Sequence, residues 1–452
     1  MNAPDFRNTK VTVLGAARSG VAVARLLISR RAKVFLSDVL PETKLRESLE
    51  LLRSVGVVVE VGGHTDRVFD CSVMVLSPGV PSNAQVVLDA LKRNIRVVSE
   101  LEVASWFCKA PVVAVTGSNG KTTTTTLIGR ILGDAKKKHV LAGNIGTAFS
   151  SVVLDVAETD LAVLEVSSFQ LDHCESFRPW ISVILNITED HMDRYNHSMN
   201  EYAASKARVF MNQQPEDILI SSADDPWTVK TVRNAACRKL TFSLQQLPSE
   251  GAGVDRGMLV TTIEGKRTEI LPIDELSIKG MHNVYNAMTS TLVGQLAEIS
   301  VPSIRATLRN FKGVEHRLEF VRERGGVRFI NDSKATNVDS VWYALQAFRE
   351  PIVLLMGGRD KGNDYARLKE LVKNRVKSIV AIGESAGTVE QAFRSVTTVV
   401  RASSMEEAVR HAAKLAVPGD VVLLSPACAS FDWFENYEQR GRVFKELVSK
   451  LS

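Results

Sequence analysis

Short apolar runs alternate along the chain with turns rich in glycine and polar residues, at the spacing of a parallel α/β protein. Residues 10–14 form the first run. The glycine turn Gly15-Ala-Ala-Arg-Ser-Gly20 follows it, residues 21–29 read as a helix, and residues 33–37 read as the next strand, ending at Asp38. Strand, glycine turn, helix and strand are the opening of a parallel domain. Further strands are predicted at 57–61, 72–76 and 96–98, with Ser77-Pro-Gly79 a turn directly after one of them. A second series starts at 112–116 and includes 161–166 and 182–186. Residues 247–266 mix Gly, Pro and charge, and read as an irregular or hairpin-rich excursion from it. A third series has its runs at 327–330, 352–356, 378–382 and 421–425, separated by stretches long enough for helices. Joins near 108–111 and 311–315 give three α/β domains, 1–109, 110–312 and 313–452.

Composition limits the class. The 452 residues are 45% hydrophobic and 24% charged, and the formal net charge is only +5. That excess calls for no nucleic-acid partner; a few Lys and Arg beside an anionic substrate account for it. Neither a concentrated basic tract nor an interleaved aromatic platform is present. The five cysteines, Cys71, Cys108, Cys174, Cys237 and Cys428, are odd in number and widely spaced, which fits a reducing compartment rather than a disulfide framework. His173 and Cys174 adjoin, but no second ligand pair completes a zinc signature. No run of ~18 apolar residues suggests a membrane span, and the first residues lack the apolar stretch of a signal peptide.

The strongest local chemistry is Thr116-Gly-Ser-Asn-Gly-Lys-Thr122, running from a strand through glycines into a Thr-rich helix start. Such a turn points the amides of Gly117, Ser118, Asn119 and Gly120 at phosphate oxygens, and the helix terminus at Lys121, Thr122 and Thr123 reinforces anion binding. Lys121 supplies charge to the terminal phosphates and Thr122 a hydroxyl to magnesium. The spacing is two residues shorter than the generic phosphate loop. A structural turn explains the glycines but not glycines, Lys and Thr together. Glu165 and His191 lie at or beyond strand ends that gather at one sheet edge, and an oxygen ligand such as Glu165 suits magnesium. A phosphate loop alone leaves the reaction open, since kinases and motor ATPases carry one too. Lys206, in Tyr-Ala-Ala-Ser-Lys-Ala-Arg, reads on pattern alone as an exposed helical lysine.

An ordered series of blocks goes further: Thr116 to Thr122, Gly143-Asn-Ile-Gly146, Glu165-Val-Ser-Ser-Phe-Gln170, Asn186-Ile-Thr-Glu-Asp-His-Met-Asp-Arg194, Ala204-Ser-Lys206, Gly280-Met-His-Asn283 with Asn286, and His316-Arg317. Asn331-Asp-Ser-Lys-Ala-Thr-Asn337, Gly357-Gly-Arg-Asp-Lys-Gly362 and Leu424-Ser-Pro-Ala-Cys-Ala-Ser430 complete it. Together they resemble the Mur ligase family, and the last blocks favour its D-glutamate-adding branch. The resemblance implies a Rossmann-like N-terminal domain for the UDP moiety, a central P-loop ATPase-like parallel sheet and a Rossmann-like C-terminal amino-acid domain. It implies an ATP-dependent amide ligase of peptidoglycan precursor synthesis in the cytoplasm. ATP would phosphorylate the carboxylate of UDP-N-acetylmuramoyl-L-alanine, and the D-glutamate amine would attack the acyl phosphate.

By the same resemblance Lys121, His191 and Lys206 are catalytic. Thr122, Glu165, His191 and Lys206 hold magnesium, with two ions and a carbamylated Lys206. ATP also meets Asn283, Asn286, Arg317, Asp332 and Lys334. Arg18, Ser19, Asp38, Ser77, Asn144 and Ser167 are the implied UDP-substrate contacts. Thr336, Lys361, Ser430, Phe431 and Tyr437 are those of the amino acid. Ala17 replaces the middle glycine of a dinucleotide fingerprint, so its Cβ argues against NAD. A monomer with no nucleic acid and no membrane insertion is expected. The alternatives are a ligase of the same fold with another acceptor, including glutamate addition to folate, and a non-catalytic nucleotide-binding protein.

Overall fold

The structure, a computed structural model, describes residues 4–144, 146–360 and 362–451. They form two compact units: one runs through Glu275 and includes Tyr285–Asn310, and the other joins Leu276–Val284 to the chain from Phe311 onward.

The first unit holds two sheets. Five parallel strands lie in the order Val58–Val61, Lys33–Asp38, Lys10–Leu14, Val73–Leu76, Arg96–Ser99. The order reverses direction at Lys10–Leu14, and the helix Arg18–Ser29 starts there. Close approach dictates the glycine turn: a Cβ at Gly20 would lie 1.8 Å from the Gly15 carbonyl oxygen.

The second sheet has nine strands: Lys266–Pro272, Met258–Ile263, Gly251–Asp255, Arg238–Phe242, Ile218–Ser222, Ile181–Ile184, Val112–Thr116, Leu161–Glu165, His139–Gly143. The last seven run parallel. The segment read as an irregular or hairpin-rich excursion does form two successive hairpins, but they extend the same sheet rather than leaving it. Val112–Thr116 is central and fully buried, and the helix Lys121–Asp134 leaves its end. Both sheets of this unit share one apolar core, continuous from Val11 and Leu36 through Leu101 and Phe149 to Leu164.

The second unit is a six-stranded sheet, Glu319–Arg324, Val327–Asn331, Val421–Leu424, Ile352–Gly357, Val376–Ile382, Thr398–Arg401, parallel except for its first strand. Val338–Gln346, Lys369–Arg375 and Ala386–Phe393 cover one apolar face; Met405–Leu415 and Tyr437–Ser449 cover the other. Among the described residues no helix is long and apolar enough to cross a membrane, and all five thiols are free.

Candidate active site

The phosphate loop is shaped by its neighbours. Gly120 has φ +87°, and a Cβ there would lie 2.6 Å from Asn286 Oδ1. Asn286 in turn accepts a hydrogen bond from Thr124 Oγ1 at 3.0 Å, so this buried amide braces the loop from the helix Met281–Leu296. The backbone amide of Ser118 donates to the Asn186 carbonyl (2.9 Å) and that of Asn119 to Asn186 Oδ1 (2.8 Å). Ser118 Oγ donates to the Thr188 carbonyl at 2.7 Å. Lys121 Nζ folds back onto the Gly117 and Ser118 carbonyls, 2.7 Å from each. Thr122 and Thr123 are both buried.

Thr122 Oγ1 donates to Glu165 Oε2 at 2.7 Å, and Asn144 Nδ2 donates to Glu165 Oε1 at 3.0 Å. The buried Thr122 hydroxyl and Glu165 carboxylate are oxygen donors of the kind magnesium prefers, while Asn144 turns its Nδ2 toward Glu165 and steadies the carboxylate. Ser167 caps the short helix Ser168–Leu171, and its backbone amide donates in return to Gln170 Oε1 at 3.0 Å.

Lys206 is only 1% exposed, against its reading on pattern as a surface lysine. The helix Met199–Ala207 carries Tyr202 and Lys206 one turn apart. Lys206 Nζ lies 4.5 Å from the Tyr202 ring centroid and 2.9 Å from the Gly117 carbonyl oxygen. Burial pushes its ammonium well below the usual lysine range; the Lys121 charge adds to that push, and Asp190 and Asp172 oppose it. His191 occupies a left-handed conformation, φ 55°, and its ring meets Phe169 edge-on at 5.6 Å. Arg194 lies over the Phe169 ring, 4.5 Å from its centroid, and donates to the Pro78 carbonyl in the turn after Val73–Leu76.

At the edge of the first sheet, Asp38 Oδ2 accepts the Ala16 amide (2.6 Å) and Oδ1 the Leu40 amide (2.8 Å). Ser77 Oγ donates to the Gly15 carbonyl at 3.0 Å. Asp38 and Ser77 thus build the glycine turn itself, while Arg18 is exposed and Ser19 half-buried at the start of its helix.

The second unit gathers its own polar group. Asp332 Oδ2 accepts Ser425 Oγ at 2.8 Å and Oδ1 accepts the Leu318 amide at 3.2 Å. Burial pushes the Asp332 carboxyl up to about 7, against the Ser425 hydrogen bond and the Arg317 charge. Arg317 Nε is buried without a hydrogen-bond partner among the described residues. Lys334 Nζ lies 3.0 Å from the Tyr437 hydroxyl, and Asn283 Nδ2 donates to the Lys279 carbonyl at 2.8 Å. Thr336 is half-buried, Ser430 is buried and Phe431 is 60% exposed. Lys361 lies outside the described residues.

Three residues without an assigned role from sequence stand inside these groups. Tyr202 reaches both Ser118 Oγ, at 3.1 Å, and Lys206. Its position four residues before Lys206 on one helix is a signal the sequence contains. Asn186 closes on the phosphate loop, as above. Arg440 is 1% exposed and donates to Ser333 and to the Cys428 carbonyl; nothing in its helical sequence marks it out.

Three family models match the chain in order: the MurD N-terminal domain over residues 10–86, the Mur ligase middle domain over 115–294, and the glutamate ligase domain of Mur ligases over 316–428. The chain is similar along its whole length to proteins of Salinibacter ruber and Chlorobaculum parvum, each called UDP-N-acetylmuramoylalanine–D-glutamate ligase. It is 46% and 44% identical to them, with 100% of each chain covered. Among solved structures it is similar to UDP-N-acetylmuramate–alanine ligase of Thermotoga maritima, with a TM-score of 0.62 and 20% identity over 98% of this chain and 99% of that one. A pseudomurein peptide ligase type C of Methanothermus fervidus gives a TM-score of 0.62 at 20% identity, over 98% and 100% of the two chains. At that identity the likeness is one of fold.

Proposed function

The chain belongs to the Mur ligase family, and from that premise we infer that its site joins D-glutamate to UDP-N-acetylmuramoyl-L-alanine in peptidoglycan precursor synthesis. It is an ATP-dependent, amide-forming ligase. A free carboxylate is a poor electrophile, so the terminal phosphoryl group of ATP is first transferred to it and ADP leaves. The D-glutamate amine then attacks the acyl carbon, the C–N bond forms, the amine loses its proton and phosphate departs.

The observation that carries the reading is the contact of Thr122 with Glu165, closed on its other oxygen by Asn144. It unites the phosphate loop with an acidic strand end in one oxygen-rich cluster. The Lys121 ammonium, the loop amides of Gly117 and Gly120 and the helix start at Lys121–Thr123 bind the ATP phosphates. The amides of Ser118 and Asn119, expected from sequence to do so, are donated to Asn186 and hold the loop's shape. Magnesium, when bound, neutralises phosphate charge. Thr122 and Glu165 hold one ion, and His191 with Lys206 holds a second. Lys206 does so as a carbamate: its neutral amine adds to carbon dioxide, a proton is lost, and an ammonium becomes an anionic oxygen ligand. Burial beside Lys121 favours the neutral amine this requires.

Asn283, Asn286, Arg317, Asp332 and Lys334 serve ATP. Arg18, Ser19, Asn144 and Ser167 serve the UDP substrate, and Asp38 and Ser77 serve it by holding the glycine turn that receives it. Thr336, Ser430, Phe431 and Tyr437, with Lys361, receive D-glutamate. The enzyme acts as a cytoplasmic monomer.

The test is phosphate release from ATP with UDP-N-acetylmuramoyl-L-alanine, with and without magnesium, against a panel of amino acids. Release that needs both magnesium and D-glutamate is expected. Release driven by another acceptor would change the pathway step, and none in folded protein would end the ligase reading.

A further inference from the structure

Four successive carbonyls of one loop in the second unit are held. Pro426 O accepts the Gly357 amide at 2.9 Å, and Ala427 O accepts Asn363 Nδ2 at 3.1 Å. Cys428 O accepts Arg440 Nη1 at 3.1 Å, and Ala429 O accepts the Arg359 amide at 2.9 Å. Within this clamp Ala427 sits at φ 60°, a left-handed conformation that residues with a Cβ rarely adopt. Such a conformation persists where the surroundings over-determine it. Ser430, which follows directly, is 2% exposed.

Two clamping side chains lie outside the proposed sites. Asn363 holds the Ala427 carbonyl and lies 3.5 Å from Cys428 Sγ. The Tyr365 hydroxyl is 3.4 Å from the same sulfur and donates to Asp360 Oδ2 at 3.2 Å. Asp360 Oδ1 accepts the amides of Gly362 and Asn363, which holds the Asn363 backbone in place. Ser385 Oγ, 3.5 Å from Cys428 Sγ, completes a ring of polar contacts around a buried thiol.

We propose that Asn363 and Tyr365 are positioning residues for the amino-acid acceptor, fixing the Ala427–Ser430 backbone so that the acceptor's carboxylates are met in one geometry and one enantiomer is selected. This rests on the reading of Ser430 and Phe431 as D-glutamate contacts. Two enantiomers carry the same groups, so discrimination comes from contact points that cannot move to suit both. A site that leaves a buried polar group unpaired with the wrong hand rejects it; a loop free to relax does not. Asn363 secures the one residue whose backbone conformation is least favourable, and Tyr365 secures its neighbour.

The experiment is steady-state kinetics of Asn363→Ala and Tyr365→Phe with D- and L-glutamate, alongside Ser430→Ala. Tyr365→Phe keeps the ring against Phe393, at 5.8 Å, and loses only the hydroxyl, so its fold is retained. KM for D-glutamate is expected to rise about five- to tenfold in both clamp variants, the scale of one lost hydrogen bond. The preference for D- over L-glutamate falls, while kcat and KM for ATP stay near wild type. A merely structural role would instead lower the unfolding midpoint and shift all substrates together. That result, or an unchanged D-glutamate KM and preference while Ser430→Ala raises KM, overturns the inference alone. An unchanged KM in Ser430→Ala removes the acceptor-site reading and the inference with it.

Discussion

Lys121 and Lys206 bring their ammonium nitrogens to the same acceptor, the Gly117 carbonyl, at 2.7 and 2.9 Å. Two cations on one carbonyl, one of them buried, favour loss of a proton from the buried one. A lysine whose folded pKa lies below its unfolded value, here 10.5, binds fewer protons when folded. Its cost to stability is therefore greatest at low pH and fades as pH rises toward the unfolded value. Lys206→Met in carbon-dioxide-free buffer is expected to raise the unfolding midpoint at about pH 7, with the gain shrinking by about pH 10. Its turnover falls about a hundredfold or more. Thermal melts across pH and a single-turnover assay check both; a pH-independent gain would contradict the buried-ammonium account.

Asp332 has the opposite sign. Its carboxyl is raised from 3.8 to about 7, so the folded state holds a proton that the unfolded state has released. This contribution is full below about pH 4 and is lost as pH climbs through 7. Asp332→Asn mimics the protonated form and removes the loss, so the variant gains on wild type above about pH 7, by on the order of 4 kcal/mol at most. Denaturant midpoints on either side of that pH measure it. If Asp332 serves ATP as proposed, the same variant raises KM for ATP about tenfold.

Glu165→Gln keeps the shape that receives Thr122 Oγ1 but removes the charge. The magnesium concentration for half-maximal rate is expected to rise at least about tenfold, the scale of one charge-assisted contact. KM for D-glutamate stays unchanged. A magnesium titration at saturating ATP reads this, and an unaltered titration would remove Glu165 from the ion.

Gly120→Ala places a Cβ 2.6 Å from Asn286 Oδ1 and in a left-handed backbone, which costs about 1–2 kcal/mol before any displacement. ATP affinity should fall by at least about tenfold. Asn286→Ala added to it removes the clash and should restore part of the lost stability but not the ATP affinity, to which Asn286 is itself proposed to contribute. Thermal melts and nucleotide titrations of the single and double variants separate the two effects.

The buried strands Lys10–Leu14, Val112–Thr116, Leu161–Glu165 and Ile352–Gly357 were legible because a strand covered on both faces reads as a continuous apolar run. His139–Gly143, Glu319–Arg324 and Thr398–Arg401 were not, and each lies at a sheet edge and is partly exposed; Ile218–Ser222 and Arg238–Phe242 were not either, although both lie inside the nine-stranded sheet. The phosphate loop was legible because glycines, Lys121 and Thr122 adjoin in sequence. The burial of Lys206 was not, since it follows from where the helix Met199–Ala207 docks. Only resemblance marked that residue. Arg440 and the clamp of Asn363 and Tyr365 join residues distant along the chain, and no local pattern announces them.

The most direct test of the central claim is mass analysis of the product formed from UDP-N-acetylmuramoyl-L-alanine, ATP and an equimolar mixture of isotope-distinguished D-glutamate, L-glutamate, L-alanine and a diamino acid. The account predicts one amide product, carrying the D-glutamate label, formed in step with released phosphate. A product carrying any other label, or phosphate release without amide, would contradict it.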